Sequence, residues 1–149
     1  MSHNTPTYPC NNTLNFNHIG LSVANLTTQT HFYQNVLGFD NILRKFTIQV
    51  PHLFQVIQLQ NPQGVIIELV SNEESTRQEI PKDPMDGSKL QGYFHWALSV
   101  GDLDEVYDYI VQAGTGARAV SPPEADGFGS GRFAYVSDPE GNLIELLGP

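Results

Sequence analysis

The sequence predicts an α+β fold in which two paired βαβββ modules form a cupped mixed sheet around one cavity. Three observations carry that expectation. First, the chain repeats itself at an offset of 77: HIGLSVANL at 18–26 matches HWALSVGDL at 95–103 in five of nine positions, and NPQGVIIEL at 61–69 matches DPEGNLIEL at 138–146 in another five. Second, both matched stretches alternate apolar and small or polar residues, the period of a half-buried strand. Third, 149 residues with 40% hydrophobic and 15% charged side chains suit one globular domain.

The elements follow in order. Residues 1–13 read as a disordered or extended tail, and module one spans about 14–70. Asn15–Val23 alternates as a strand. Thr27 or Thr28 caps a helix running to about Leu37, with Gly38 ending it. Strands are expected near Thr47–Val50, Phe54–Gln60 and Val65–Val70, with a turn at Asn61–Gly64. Residues 71–91 carry charge, Pro81, Pro84 and Gly87, and read as a linker with little regular structure. Module two, about 92–148, opens with the strand Gly92–Val100. Asp102 caps a helix whose Leu103, Val106, Tyr107, Ile110 and Val111 make a buried stripe. Strands near Ala117–Val120, Arg132–Ser137 and Asn142–Leu147 follow, the last two joined by a turn at Asp138–Gly141. Pro122–Gly131, with glycines at 127, 129 and 131, reads as a mobile loop suited to a lid.

Composition narrows the function. A formal charge of −9 argues against nucleic acid and anionic membranes, both of which select cationic surfaces. No apolar run reaches the roughly 20 residues that span a bilayer. The first residues lack the basic and apolar regions of a signal peptide. One cysteine, Cys10, makes no internal disulfide. Together these point to a cytoplasmic protein acting on a small molecule.

The repeat also doubles four polar residues. His18 corresponds to His95 and Glu68 to Glu145, and in each module the Glu follows the His by 50 residues. On the first strand His18, Gly20 and Ser22 oppose Ile19, Leu21 and Val23; on its counterpart His95, Ala97 and Ser99 oppose Trp96, Leu98 and Val100. The apolar faces should pack on the helices, and the faces with His and small residues should look into a cavity. A Glu within VIIELV or NLIELL is costly if buried and charged without a cation. Histidines hydrogen-bonded in a core beside two wetted glutamates would explain one pair, but not the same pair twice. The expectation is one divalent metal held by His18, Glu68, His95 and Glu145. Imidazole and carboxylate suit Zn, Ni, Co, Mn or Fe, and the donor set does not choose among them.

The chain resembles the vicinal oxygen chelate superfamily, which includes glyoxalase I, methylmalonyl-CoA epimerase, extradiol dioxygenases and the fosfomycin and bleomycin resistance proteins. HIGLSV, THFYQNVLGF, IIEL, HWALSV and YVSDPEGNLIEL carry the resemblance over about 14–148. The resemblance implies paired βαβββ modules around a central metal, and His18, Glu68, His95 and Glu145 match the four ligands of glyoxalase I-like members. It implies a lyase or isomerase that moves a proton beside a carbonyl or enediolate of a small molecule. The metal would polarise the oxygens and a carboxylate would take the proton. Family analogy gives that role to Glu145, with Glu68 on the opposite face. Glutathione-using members have arginine four residues after the first ligand, where this chain has Ser22; their asparagine four residues after the second is present as Asn72.

Two other readings have their own signatures. An extradiol-type ring-cleaving dioxygenase needs two His and one carboxylate, which His18, His95 and Glu145 supply; Glu68 would then occupy a position needed for oxygen. A drug-binding resistance protein needs no metal, and four intact ligands weigh against it. Arg44 and Arg132 read either as cations that could meet an anionic substrate or as solvated surface charges. Gln55 or Gln58 also reaches the cavity, and alternation does not choose between them. Trp96 reads as core. Cys10, His3, His31 and His52 have no repeat counterpart and read as incidental, and Asp138 and Asn142 as turn-shaping. A homodimer is expected, because exposed sheet edges pair.

Overall fold

The computed structural model describes residues 14–149 except 78, 113, 128 and 130. The tail, with His3 and Cys10, lies outside the described residues. The chain runs β1 (Ile19–Ser22), α1 (Leu26–Asn35), β2 (Asn41–Ile48), β3 (Phe54–Gln60), β4 (Ile66–Asn72), α2 (Pro84–Gly87), β5 (His95–Ser99), α3 (Leu103–Ile110), β6 (Arg118–Ala125), β7 (Arg132–Ser137) and β8 (Leu143–Gly148). Two four-stranded mixed sheets result, ordered β1-β4-β3-β2 and β5-β8-β7-β6. β1 runs parallel to β4 and β5 parallel to β8, and the other neighbours are antiparallel. This is the βαβββ pattern twice, with the same topology.

Each helix is set by a short polar cap. Asn25, not Thr27 or Thr28, starts α1: its side chain accepts from the Thr28 backbone N–H at 2.9 Å. Asn is as good a cap as Thr and stands where the backbone is still extended. Asp102 caps α3 by accepting from Glu105 N–H at 2.9 Å. The linker contains one further short helix, α2, which starts from Asp83 with Pro84 in its first turn. Pro122–Ala125 is strand rather than loop. It lies in β6, a sheet edge whose alternate N–H groups point away from the sheet, and Pro122 and Pro123 fall within a slip in the pairing with β7 between Ser121 and Glu124. β2 begins at Asn41, six residues before the expected strand.

The two β-hairpins show the repeat at its most literal. Gly64 and Gly141 take φ of +86° and +87° at corresponding turn positions. Asn61 accepts from Val65 N–H at 2.9 Å. Its counterpart Asp138 is wholly buried and accepts from the backbone N–H groups of Glu140 and Asn142, both at 2.9 Å, from Asn142 Nδ2 at 2.7 Å and from Tyr33 Oη at 3.2 Å. Burial first, and Asp138 next, push the Tyr33 phenol well above its ordinary range, so it stays a donor. Asp138→Ala strands several buried donors at once. It should lower stability by about 3 kcal/mol, read as the shift of the urea midpoint at constant m.

One apolar cluster draws on both modules. Ile57, Leu59, Ile67 and Leu69 from the first sheet join Trp96, Ala134, Val136, Ile144 and Leu146 from the second, with Phe32, Tyr33, Leu103 and Ile110 from the helices. Tyr33 and Phe39 of module one lie 6.3 and 6.1 Å, ring centre to ring centre, from Trp96 of module two. Glu140 adds a polar tie. Its carboxylate accepts from the Ala24 and Asn25 N–H groups at 3.0 and 2.8 Å and from Arg77 at 3.1 Å. Each sheet therefore turns one face to the common core and the other away from it.

Candidate metal centre

Strand register decides which side chains share the outward face. In module one, Gly20 on β1 pairs with Glu68 on β4, Glu68 with Gln58 on β3, and Gln58 with Arg44 on β2. In module two, Ala97 pairs with Glu145, Glu145 with Tyr135, and Tyr135 with Ser121. Every member of the second row lies 77 residues beyond its counterpart in the first. Residues in register across neighbouring strands project from the same face. His18 and His95 stand two residues before Gly20 and Ala97, so they belong to these faces as well.

Each row holds a small polar cluster. His18 Nε2 lies 3.8 Å from Glu68 Oε1, and His95 Nε2 lies 3.2 Å from Glu145 Oε2. The other oxygen of each carboxylate is held by the neighbouring strand: Gln58 Nε2 donates to Glu68 Oε2 at 2.6 Å, and Tyr135 Oη donates to Glu145 Oε1 at 2.7 Å. The Tyr135 phenol is pushed far above its ordinary range, by burial first and then by Glu145, so it remains protonated and donating through the usual working range. His18 Nδ1 sits 2.7 Å from the Asn17 side-chain oxygen. Donation through Nδ1 leaves the lone pair on Nε2, the atom turned toward Glu68. His95 Nδ1 is buried and has no partner among the described residues. Aromatic rings pack His95 edge-on, Phe94 at 4.4 Å and Tyr135 at 5.5 Å.

Two imidazoles and two carboxylates, each carboxylate with one oxygen anchored and one turned to its histidine, are a donor set that fits a divalent first-row metal. The set is split two and two. Among the described residues no three of His, Cys, Asp and Glu converge. His18 and His95 do line one cavity, of about 870 Å³, between β1, the start of β5, the Glu140–Leu143 turn and the linker; Glu68 and Glu145 are not among its walls.

The remaining candidates fall on both sides of the sheets. Asn72 ends β4 on the same face as Glu68, and its side-chain oxygen accepts from Glu74 N–H at 3.0 Å. Arg44 stands in the Glu68 row. Arg132 does not reach that face of its own sheet: it has the register of Ala134 and Val136, which face the core, and forms a two-pronged pair with Asp104 on α3 at 2.6 and 2.9 Å. Gln58, not Gln55, is the glutamine beside Glu68. Tyr135 escapes sequence matching because glutamine and tyrosine share no identity at the offset of 77. Its signal is positional, ten residues before the Glu in each module.

Comparison with known proteins agrees with the fold. A family model described as the Glyoxalase/Bleomycin resistance protein/Dioxygenase superfamily matches residues 15–146. A Vibrio cholerae protein named "Probable lactoylglutathione lyase" is 28% identical over 131 residues, 87% of each chain. A glyoxalase family protein from Bacillus cereus superposes with a TM-score of 0.71 at 20% identity, over 99% of this chain and 97% of that one. The fosfomycin resistance protein FosX of Listeria monocytogenes, solved with Mn(II) and a sulfate ion, gives 0.60 at 21% identity over 91% and 92%. With the family model covering nearly all of both modules, the chain belongs to the Glyoxalase/Bleomycin resistance protein/Dioxygenase superfamily.

Proposed function

We propose that the chain is a metal-dependent lyase or isomerase of the glyoxalase I type, moving a proton between adjacent carbons of a small molecule. The observation that carries this reading is the doubled half-site: a histidine and a glutamate on one face, with one glutamate oxygen fixed by a neighbouring strand, at the same register in both modules. The relative named as a lactoylglutathione lyase supports it. His18, Glu68, His95 and Glu145 would hold one divalent ion. When bound, that ion supplies Lewis-acid polarisation of a substrate oxygen. Around such a centre Glu145 and Glu68 would stand on opposite sides, and either carboxylate could accept a proton from carbon and return it to the neighbouring carbon. Gln58 and Tyr135 each hold one carboxylate oxygen and leave the other to act. A dioxygenase would leave one carboxylate idle, whereas Glu68 is as firmly held as Glu145.

The half-sites come together, on this reading, across a homodimer. The His18–Glu68 face of one copy meets the His95–Glu145 face of another. Exposed apolar side chains on the outer strand of module one support this: Phe46 and Ile48, in register with Val56 and Phe54 on the face of Gln58 and Glu68, are open to solvent on β2, a sheet edge that a second copy would cover. Protein purified without added metal should contain about one metal per chain. It should turn over 2-oxoaldehydes in a screen run with and without thiols, with no oxygen uptake. Absence of metal together with absence of turnover would end the proposal, and stoichiometric oxygen uptake with a catechol would move it to the dioxygenase.

Tyr135→Phe and Gln58→Leu test the holding role. Each frees one carboxylate oxygen without removing a ligand. Metal affinity should fall about 10- to 100-fold for either variant, measured by competition with a chromogenic chelator. Unchanged affinity in both would make these two side chains incidental.

A further inference from the structure

Arg44 stands apart among the four arginines of the chain. Arg132 is paired with Asp104, Arg77 with Glu140, and Arg118 donates to Ser137 Oγ at 3.2 Å. Arg44 forms no hydrogen bond or ion pair with any described residue. Its place is set by a slip in the β2–β3 pairing between Ile42 and Arg44, beyond which Arg44 is in register with Gln58. That puts the guanidinium stem on the face of Gln58 and Glu68. It lies two strand spacings from Glu68, roughly 9–10 Å between Cα atoms. An arginine side chain spans much of that distance, so its charge can stand a few ångströms from the Glu68 carboxylate, across the space above Gln58.

The surroundings make this cation matter. The chain carries a net charge of −9 and the proposed centre adds two glutamates, a field that repels anions. The counterpart of Arg44 in module two is Ser121, which is neutral. An assembled site therefore has one cationic end and one uncharged end, a polarity that orients a ligand. Ser22, another member of the His18 face, brings no charge of its own.

On the reading of the site given above, we propose that Arg44 is a specificity-determining residue that selects substrates carrying an oxyanion, carboxylate or phosphate, a few bonds from the reacting carbonyl. Guanidinium holds such groups through two parallel N–H donors. The substrate class is then narrowed, among 2-oxoaldehydes and related oxo compounds, to those that carry a carboxylate or phosphate.

The test is calorimetric and needs no turnover. Metal-loaded protein is titrated with butyrohydroxamate, with the monohydroxamate of succinic acid, and with its phosphonate counterpart. All three present the same pair of vicinal oxygens and differ at the far end. Wild type should bind at least one of the two anionic probes about tenfold tighter than the neutral one, the gain expected for a hydrogen bond to a charged group near solvent; whichever anion gains more identifies the source. Arg44→Met should bring that ratio to within about threefold, and Arg44→Lys should restore part of it. Lys45→Met, one residue on and turned to the other face, should leave the ratio at its wild-type value. Equal binding of charged and neutral probes by wild type, or a ratio that survives Arg44→Met, would overturn the role of Arg44 while leaving the metal centre standing. Protein that holds no metal and binds none of the three would overturn both.

Discussion

Chains carrying His18→Ala and chains carrying His95→Ala, each inactive alone, should regain about a quarter of wild-type turnover when unfolded and refolded together in equal amounts. If each centre takes His18 and Glu68 from one copy and His95 and Glu145 from another, a mixed dimer has one centre with both histidines and one with neither. Random assortment makes about half of all dimers mixed, and half of the centres in those dimers are complete. Each variant alone keeps three ligands in both centres. Its metal affinity should fall by more than about 100-fold, since even the loss of a residue supporting a ligand costs that much. Metal per chain and turnover should recover in step. If one chain closed its own centre across the cavity shared by His18 and His95, every chain in the mixture would lack a ligand and nothing would return. No recovery from a mixture shown by mass to contain mixed dimers would therefore sink assembly across copies. A monomer by sedimentation would sink it sooner.

The sequence made some of this legible and hid the rest for physical reasons. Alternation along HIGLSV and HWALSV assigns the faces of β1 and β5, because a strand with one buried side has no freedom of parity. The structure has Ile19, Leu21, Trp96 and Leu98 in or against the core, with His95 on the other face. The hairpin turns were legible for a similar reason: Gly64 and Gly141 stand where positive φ is needed. Cross-strand partners were not legible. Which of Gln55 and Gln58 meets Glu68 depends on pairing register, set by a turn and by neighbouring strands rather than by the segment itself. Tyr135 lay unseen beside Glu145 for the same reason. The pairing of Arg132 with Asp104 joins residues 28 apart, on a helix and a strand, and no local pattern announces it. Pro122 and Pro123 misled because proline breaks central strands, whereas β6 is an edge.

Register also bears on the chemistry, because it gives the two carboxylates different partners. Glu145 faces a phenol and Glu68 an amide. If proton transfer is the reaction, Glu145→Gln should keep much of the metal and lose about 100- to 10,000-fold in turnover, the usual contribution of a general base. The amide oxygen still coordinates, but an amide takes no proton near neutral pH. Tyr135 can donate to that oxygen as it did to the carboxylate, so the geometry of the second half-site should persist. Glu68→Gln faces a harder case, since its partner Gln58 and the new amide can satisfy each other only in one of two orientations. A comparable loss in both variants, with metal retained, would mean that both carboxylates move the proton, one from each side of the substrate. A loss confined to one would name the base. Turnover that survives both changes, with metal bound, would exclude proton transfer by carboxylate and return the choice to oxygen chemistry, where His18, His95 and a single carboxylate suffice.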